Sequence, residues 1–404
     1  MLIILSKIKI MFQRPHFQLL TQRMNEPRMF IQVLAGPRQV GKTTLVSQFL
    51  ATSSIPSHIV SADDVANVGT AWLNQQWETA RLKWRQLGAS EFIFSIDEVQ
   101  KIPNWSETIK ANWDADARNQ IPIKLILLGS SRLLLQQGLT ESLAGRFELI
   151  YISHWSLLEM ETAFGFSPDD FVWFGGYPGA ARLIEDEFRW KKYVNDALID
   201  PSISRDILSL TRVDKPALFK RFFELGCQYS GQMLSFNKIL GQLLDAGNTT
   251  TLAHYLNLLD SAGLLGGLEK FGGDMIRQRQ SSPKFQVHNT ALISAQMPEM
   301  RSEIQQSPDK WGRLVESAVG AHLVNFSRQE NYRVFYWRES NDEVDFVVQH
   351  CGKTLAIEVK SGALRNVSGI ETFRKKFNPD KMLIVGRDGL PWQEFLKINP
   401  VTIF

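Results

Sequence analysis

The chain has 404 residues, of which 44% are hydrophobic and 22% are charged, with 27 Gly and 16 Pro. This length exceeds one ordinary domain and the composition is that of folded proteins, so a single small domain, a disordered chain and a fibrous repeat are excluded. A net charge of +3 permits a nucleic-acid partner but is too small for a protein that coats DNA. Cys227 and Cys351 form no disulfide or zinc-ligand pattern, and we expect a cytoplasmic protein.

The first ten residues are apolar but contain Lys7 and Lys9. This stretch is too short and too interrupted to span a membrane, and it lacks the basic-then-apolar order of a signal peptide. No other apolar stretch is long enough for a span, so the sequence predicts no membrane partner. A more ordinary amphipathic segment begins at Met11, and we interpret residues 1–10 as an extension that depends on the choice of start codon.

The clearest motif follows residues 30–35 (FIQVLA), which are typical of a buried strand. It has the form G-x-x-x-x-G-K-[ST], in which backbone N–H groups surround phosphate oxygens, a lysine reaches the β- and γ-phosphates, and a hydroxyl binds Mg²⁺. Here Lys42 is the predicted catalytic lysine and Thr43 the predicted metal ligand. The residues predicted to bind ATP are Gly36, Pro37, Arg38, Gln39, Val40, Gly41, Lys42, Thr43 and Thr44.

A second apolar strand, residues 92–97, ends in two adjacent acids. Functional residues of parallel sheets lie at the carboxyl ends of strands, where this pair falls. Asp97 is the predicted Mg²⁺ ligand, and Glu98 the residue that orients or deprotonates the water that attacks the γ-phosphate. The alternative for Glu98 is a solvated loop carboxylate.

A third apolar strand, residues 124–128, leads into Gly129 and Ser130. We predict that Ser130 senses the γ-phosphate or its water, the alternative being an ordinary turn. Residues 58–61 read as one more strand, so β and α segments alternate along this part of the chain. That alternation predicts a parallel sheet covered on both faces, which is an α/β fold.

Five stretches taken together resemble the AAA-family ATPases that carry a C-terminal domain of unknown function. They are GPRQVGKTTL, IFSIDEVQKIPNW, ILLGSSRLLL, LAGRFELIYISHWSLLEM and GGYPGA. The resemblance runs from Met11 to the C-terminus. It implies a homo-oligomer in which the ATP site lies between subunits and takes an arginine from a neighbour. Arg146 and Arg205 are both candidates for that arginine, and either can also be an ordinary surface residue.

The middle of the chain changes to a helical pattern. We predict helices over residues 217–229, 235–244 and 249–262, with a Gly-Asn turn between the last two, which is the spacing of a helix-turn-helix. Residues 263–270 and 284–288 can add a two-stranded wing. The third helix has no Lys or Arg, which favours packing or protein contacts over DNA binding. The compensating cations of the wing are Arg277, Arg279 and Lys284.

From residue 309 onward the pattern predicts a helix, three strands, a helix and a strand. Glu316 lies at the edge of the apolar face of the first helix, and Asp345 lies in the second strand. In the third strand, Glu358 and Lys360 share one face because side chains alternate with a period of two. The alternative for Glu358 and Lys360 is an exposed ion pair that contributes little to stability.

This arrangement resembles the restriction-endonuclease-like core and its D…ExK signature. The resemblance implies that Asp345 and Glu358 bind Mg²⁺, that Lys360 orients the attacking water and that Glu316 completes the metal site. Such domains can also keep these residues for packing or binding without cutting nucleic acid. Glu358 and Lys360 are catalytic residues only if the domain is an active nuclease.

The predicted fold class is α/β, with an AAA-type P-loop parallel sheet, then a winged-helix-like helical segment and a C-terminal restriction-endonuclease-like α/β domain. An AAA-type P-loop ATPase domain is expected in residues 1–165, a helical linker or lid in 166–215, a winged-helix-like domain in 216–300 and a restriction-endonuclease-like domain in 301–404. The first functional hypothesis is a Mg²⁺-dependent ATPase that couples ATP hydrolysis to a nuclease-like domain acting on DNA or RNA. The alternative is an ATP-dependent switch or scaffold that binds a protein partner and whose nuclease-like domain is inactive.

Overall fold

The computed structural model describes residues 12–64, 68–129, 139, 142–208, 213–243, 247–272, 281–360 and 368–404, without the side chains of Arg205 and Asp206. The chain forms two compact units. The first contains Met1–Gly36 and Gly41–Ile152, and the second contains Pro37–Val40 and Ser153–Phe404. Among the described residues, no helix has both the length and the apolar character that crossing a membrane requires.

The first unit is built on a parallel sheet of five strands. The strands are Ile31–Ala35 (β1), Ser57–Ser61 (β2), Phe92–Asp97 (β3), Ile123–Gly129 (β4) and Phe147–Tyr151 (β5). They lie in the order β2-β3-β4-β1-β5, and every neighbouring pair is parallel. The predicted α/β fold with a parallel sheet is therefore confirmed for this unit.

Burial explains why these segments form strands. All residues of β1, β3 and β4 are buried, as expected for central strands with helices on both faces. The helices of this unit are His16–Asn25, Lys42–Thr52, Thr70–Leu87 and Trp105–Arg118, with short turns of helix at Ala62–Asp64 and Val99–Lys101. The carboxyl ends of β1, β3 and β4 are thereby held at one edge of the sheet, where the sequence places its polar motifs.

The second unit begins with short helices. Two of them start with capping boxes, in which Ser156 pairs with Glu159 and Ser167 with Asp170. The helices before the second sheet are Leu157–Phe164, Pro168–Phe174, Pro178–Leu183, Glu187–Tyr193, Val194–Ile199, Ser202–Leu208, Pro216–Gln228, Phe236–Gln242 and Thr249–Ser261. The last three lie within two residues of their predicted bounds, and Ser235 caps the second of them by accepting a hydrogen bond from Lys238 N.

The second sheet has six strands. They are Leu265–Lys270 (β6), Lys284–Val287 (β7), Arg333–Glu339 (β8), Asp342–His350 (β9), Lys353–Lys360 (β10) and Lys381–Gly386 (β11), in the order β11-β10-β9-β8-β6-β7. The sequence predicts that β6 and β7 form the wing of a separate domain. They do pair with each other in antiparallel fashion, but β6 also pairs in parallel with β8. The predicted wing and the C-terminal strands therefore belong to one sheet.

The C-terminal helices complete this unit. They are Ala291–Ser294, Arg301–Gln305, Pro308–Glu330, Ser368–Phe377, Trp392–Phe395 and Pro400–Ile403. β8, β9 and β10 form two antiparallel hairpins, and β11 runs parallel to β10 after the helix Ser368–Phe377. The predicted order of helix, three strands, helix and strand is thus observed, because each element carries a clear apolar period.

His322 gives the second unit a predicted acid sensitivity. Its ring lies in the core, with Nε2 2.9 Å from Ile398 O, and burial lowers the pKa of His322 to about 4. An unfolded histidine has a pKa of about 6.5, so the unfolded chain binds the extra proton first as the pH falls. The stability due to neutral His322 is complete above about pH 6.5 and is lost as the pH falls towards 4.

We expect unfolding of this unit to become easier by about 2 kcal/mol between pH 7 and pH 5 through this residue alone. Urea denaturation of the full chain at both pH values, compared with His322→Gln, measures the effect. The glutamine keeps an N–H donor for Ile398 O but cannot take up a proton. An equal pH dependence in the two proteins would contradict the prediction.

Candidate functional site

The phosphate-binding motif begins where β1 ends. At Gly36 a Cβ atom would lie 2.0 Å from Ile152 O, so only glycine fits this close approach. Gly41 adopts the left-handed region with φ 90°, and the helix Lys42–Thr52 starts directly after it. The N–H groups of the first helical turn are thereby left at the end of β1, which is the arrangement that binds phosphate.

Lys42 is buried, and its Nζ donates to Gly36 O at 2.9 Å. The bond folds the lysine side chain back over the start of the loop, so its ammonium group lies where phosphate oxygens are expected. Of the other predicted ATP-binding residues, Thr43 and Thr44 are exposed in the first helical turn. The residues Pro37, Arg38, Gln39 and Val40 group with the second unit, and Gln39 has a positive φ of 60°.

The two predicted Mg²⁺ ligands of this site are in contact. Thr43 Oγ1 donates to Asp97 Oδ2 at 2.7 Å, and Asp97 is buried at the end of β3. A hydroxyl and a carboxylate are the hard oxygen donors that Mg²⁺ prefers, and they meet beside the first helical turn. The residues present therefore fit a magnesium ion.

Glu98 has a defined orientation. Its φ of 51° is uncommon for a residue with a side chain, and its N–H donates to Asp97 Oδ1 at 2.9 Å. Gln100 Nε2 donates to Glu98 Oε2 at 2.6 Å and so holds the carboxylate. The sequence motif did not identify Gln100, because a glutamine two residues after an acidic pair has no pattern of its own. Glu98 is thus a positioned carboxylate rather than one that is free to turn in solvent.

Three other predicted residues of the ATP site have different outcomes. Ser130 lies outside the described residues, although β4 ends at Gly129, directly before it. Arg205 belongs to the helical segment Ser202–Leu208, and its side chain is also outside the description. Arg146 forms a two-bond ion pair with Asp114 of its own unit, with Nε–Oδ1 at 2.9 Å and Nη2–Oδ2 at 3.0 Å. To contact ATP bound by a neighbouring subunit, Arg146 would have to break its ion pair with Asp114.

The residues predicted for the C-terminal site lie together in the second unit. Glu316 lies on the helix Pro308–Glu330, Asp345 on β9, and Glu358 and Lys360 on β10. Lys360 Nζ is 2.6 Å from Glu358 Oε1, and Asp345 Oδ2 accepts a hydrogen bond from Val359 N at 2.8 Å. Asp345 and Glu358 are buried, so the exposed ion pair considered above is excluded for Glu358.

A further residue, Lys284 of β7, has its ammonium group among these carboxylates. Lys284 Nζ lies 2.8 Å from Glu316 Oε1, 3.4 Å from Asp345 Oδ1 and 3.7 Å from Glu343 Oε1. The side chain of Lys284 is fully buried, so it cannot bind DNA phosphates as the wing interpretation expected. We call Lys284, Glu316, Glu343, Asp345, Glu358 and Lys360 the charged cluster of the second unit.

Burial is the largest single influence on the pKa values of Glu316, Glu358 and Lys284 in the charged cluster. It raises the pKa of Glu316 to about 7, and burial with repulsion from Asp345 raises the pKa of Glu358 to about 7. Burial alone would lower the pKa of Lys284, but the carboxylates of Glu316, Asp345 and Glu343 outweigh it and raise that pKa. Lys284 therefore stays charged.

The charged cluster does not fit the predicted magnesium site. Two of the predicted ligands, Glu316 and Asp345, face the Lys284 ammonium group, whereas Glu358 is paired with Lys360. Among the described residues, no group of three or more His, Cys, Asp or Glu side chains is arranged to hold a metal ion. The prediction that Glu316, Asp345 and Glu358 share one Mg²⁺ therefore disagrees with the geometry, because a lysine occupies the space between two of them.

Comparison with known proteins agrees with the first of these two sites. Residues 29–161 match the family model of an AAA domain. Residues 167–303 match a domain of unknown function, DUF8612, and residues 311–403 match another, DUF4143. The AAA match covers the whole phosphate loop, β3 and the acidic pair. Neither of the other two descriptions mentions an endonuclease, so the endonuclease-like core remains a prediction.

Several whole proteins are similar to most of the chain. An uncharacterized protein of Mycobacterium tuberculosis is 28% identical over 345 residues, which cover 84% of this chain and 72% of that protein. An uncharacterized protein of Methanocaldococcus jannaschii is 23% identical over 340 residues, which cover 79% of this chain and 72% of that protein. Among solved structures, a Walker-type ATPase of Pyrococcus abyssi has a TM-score of 0.51 at 14% identity, covering 72% of this chain and 97% of that one. At 14% identity, the similarity to this solved structure shows a shared fold and nothing more.

The fold of the first unit, the geometry of its phosphate loop and the AAA match lead to one conclusion. Residues 29–161 are an AAA-type domain that contains the P-loop. The resemblance that the sequence motifs carry is thereby confirmed for the ATPase domain and for a C-terminal domain of unknown function.

Proposed function

We propose that the protein binds ATP with Mg²⁺ and hydrolyses it to ADP and phosphate at the carboxyl edge of the first sheet. The observation that carries this proposal is the contact of Thr43 with Asp97, 2.7 Å apart, beside the first turn of the helix that follows the phosphate loop. A hydroxyl, a buried carboxylate and a helix N-terminus in one place are what a site for a phosphate–metal complex needs.

Each residue of the site has a separate task in this proposal. Lys42 exchanges its bond with Gly36 O for the β- and γ-phosphate oxygens and offsets their charge. Thr43 and Asp97 hold the magnesium ion, which neutralises negative charge on the phosphates when it is bound. Glu98 accepts a proton from the attacking water, and Gln100 fixes the direction of its carboxylate.

The variant Lys42→Ala tests ATP binding. It removes charged hydrogen bonds, each of which contributes about 1.5–3 kcal/mol, so we expect the Kd for Mg²⁺–ATP to rise at least about tenfold. Phosphate release should fall to background. Binding is measured with a fluorescent ATP analogue and turnover by release of inorganic phosphate. Lys192→Ala, which changes an exposed lysine of the second unit, serves as the control. Equal ATP affinity in the three proteins would refute the assignment.

For the second unit we propose the ATP-dependent switch or scaffold in preference to the nuclease. The position of Lys284 between Glu316 and Asp345 favours this choice, because a buried ammonium group there opposes a second cation. In this proposal ATP binding and hydrolysis change the affinity of the second unit for a protein partner. The coupling of ATP hydrolysis to cleavage of DNA or RNA is the competing hypothesis.

A cleavage assay separates the two hypotheses. Labelled single- and double-stranded DNA and RNA are incubated with Mg²⁺ or Mn²⁺ and with wild type, Glu358→Ala or Glu371→Ala, the last being a change of an exposed carboxylate. The switch proposal predicts no cleavage by any of the three. Cleavage that Glu358→Ala abolishes and Glu371→Ala retains would establish the nuclease instead.

A further inference from the structure

We propose that the ammonium group of Lys284 is the permanent cation of the charged cluster and takes the place of a divalent metal ion. This inference does not depend on ATP hydrolysis, which belongs to the first unit. It predicts that wild-type protein keeps Glu316 and Asp345 together without a metal, and that removal of the lysine charge creates a metal site.

The first argument is the number of oxygen atoms around one nitrogen. Lys284 Nζ lies 2.8 Å from Glu316 Oε1, 3.4 Å from Asp345 Oδ1, 3.3 Å from Asp345 O and 3.7 Å from Glu343 Oε1. Carboxylates that come from a helix and from a strand thus converge on one positive charge. This is the role that a metal ion has in a cluster of acids, and here a side chain of the same chain performs it.

The second argument is that Lys284 is held in place. Its backbone belongs to β7 and faces Leu268 of β6 in the register of that pair. The side chain has no exposed surface, and its ammonium group lies 4.9 Å from the centre of the Phe346 ring. The ammonium group can therefore leave the charged cluster only if the buried strand moves. A magnesium ion that entered from solvent would be repelled by the ammonium group of Lys284, which is held in place.

The third argument is that Asp345 and Glu358 each direct one carboxylate oxygen to a partner other than Lys284. Asp345 turns Oδ2 to Val359 N, which leaves Oδ1 for Lys284. Glu358 directs Oε1 to Lys360, 2.6 Å away. The two lysines thus divide the acids into two groups instead of leaving them to one shared ion. A metal that used Glu316, Asp345 and Glu358 together would have to break up both groups.

Manganese serves as the probe, because its electron paramagnetic resonance signal reports bound and free ion directly. Nucleotide-free wild type, Lys284→Met, Glu316→Gln and the double variant Lys284→Met/Glu316→Gln are titrated with Mn²⁺ as full chains. We expect Lys284→Met to bind one additional Mn²⁺ that wild type does not bind even at a tenfold higher concentration of the ion. The double variant should lose that site, since it lacks one of the carboxylates. ATP turnover, measured in parallel, should be unchanged by either substitution.

Thermal unfolding provides a second readout. The midpoint of Lys284→Met should be lower than that of wild type in EDTA and should rise by more than the wild-type midpoint does when Mn²⁺ is added. The inference is overturned if wild type binds Mn²⁺ at a site that Glu316→Gln removes, or if folded Lys284→Met gains no site. If Lys284→Met does not fold, the comparison of wild type with Glu316→Gln decides alone, because a lysine-filled cluster predicts no Mn²⁺ site in wild type.

Discussion

The variant Glu98→Gln should bind ATP within about threefold of wild type and release phosphate at least about 100-fold more slowly. Glutamine keeps the size of the side chain and its contact with Gln100, but it cannot accept a proton from water. The bonds that hold the nucleotide come from Lys42, Thr43 and the phosphate loop, and these remain. The loss should therefore appear in kcat, with the Kd for ATP nearly unchanged. Single-turnover release of inorganic phosphate measures the rate.

Glu78→Gln is the matched control for this experiment, since Glu78 is an exposed carboxylate of the same unit, 60% accessible. It should hydrolyse ATP at the wild-type rate. If Glu98→Gln also turns over at the wild-type rate, another group activates the water, and the interpretation of Glu98 as the base is wrong.

The second large effect concerns the stability of the ATPase domain. Asp116 is fully buried, and it accepts hydrogen bonds from Trp77 Nε1 at 2.8 Å and from Arg81 Nε at 2.7 Å. Asp116→Ala leaves the indole N–H of Trp77 and the Nε–H of Arg81 without their acceptor, whereas the guanidinium group of Arg81 keeps its contacts with Glu78 and Asn112 O. Loss of one partner of a buried ion pair costs about 3–5 kcal/mol, and because Glu78 remains we expect the lower end of that range. In Asp116→Ala we expect the free energy of opening of β3 and β4 to be lower than in wild type by that amount. Amide hydrogen exchange followed by mass spectrometry measures this free energy.

Asp114 offers a control on the same helix, Trp105–Arg118. It too pairs with an arginine, Arg146, but both side chains are about one-third exposed. Exposed pairs contribute less than about 1 kcal/mol, so Asp114→Ala should change the exchange of β3 and β4 little. Equal losses in the two variants would show that burial does not decide the effect and would contradict the argument for Asp116.

The geometry of the proposed ATP site can be predicted from sequence because its parts follow short-range rules. A buried strand, a glycine-rich loop and a helix are neighbours in sequence, and the carboxyl ends of parallel strands meet at one edge. The contact of Thr43 with Asp97 follows from these two facts. Gln100 and the pair of Arg146 with Asp114 do not, because both depend on how loops and helices turn after the strands end.

The charged cluster could be predicted from the sequence only in part. Glu316, Asp345, Glu358 and Lys360 could be placed together because each lies at a set position of a strongly periodic helix or strand. Lys284 could not, because its contacts with Glu316 and Asp345 depend on the tertiary packing of segments that are far apart in sequence. Local patterns assign a strand to a face of a sheet but do not select its neighbour. From the sequence alone, the lysine is therefore predicted to be a surface cation of a wing.

The six-stranded sheet, which is built from two segments of the chain, has a consequence for how these segments can recombine in evolution. The lysine of the charged cluster lies in the segment that matches one family model, residues 167–303, whereas its acids lie in the segment that matches another, residues 311–403. β6, from the first segment, also covers the edge of β8 from the second. A gene that acquired only the second segment would carry an unpaired strand edge and acids without their lysine. Selection should therefore keep the two segments together or supply both a strand and a cation anew.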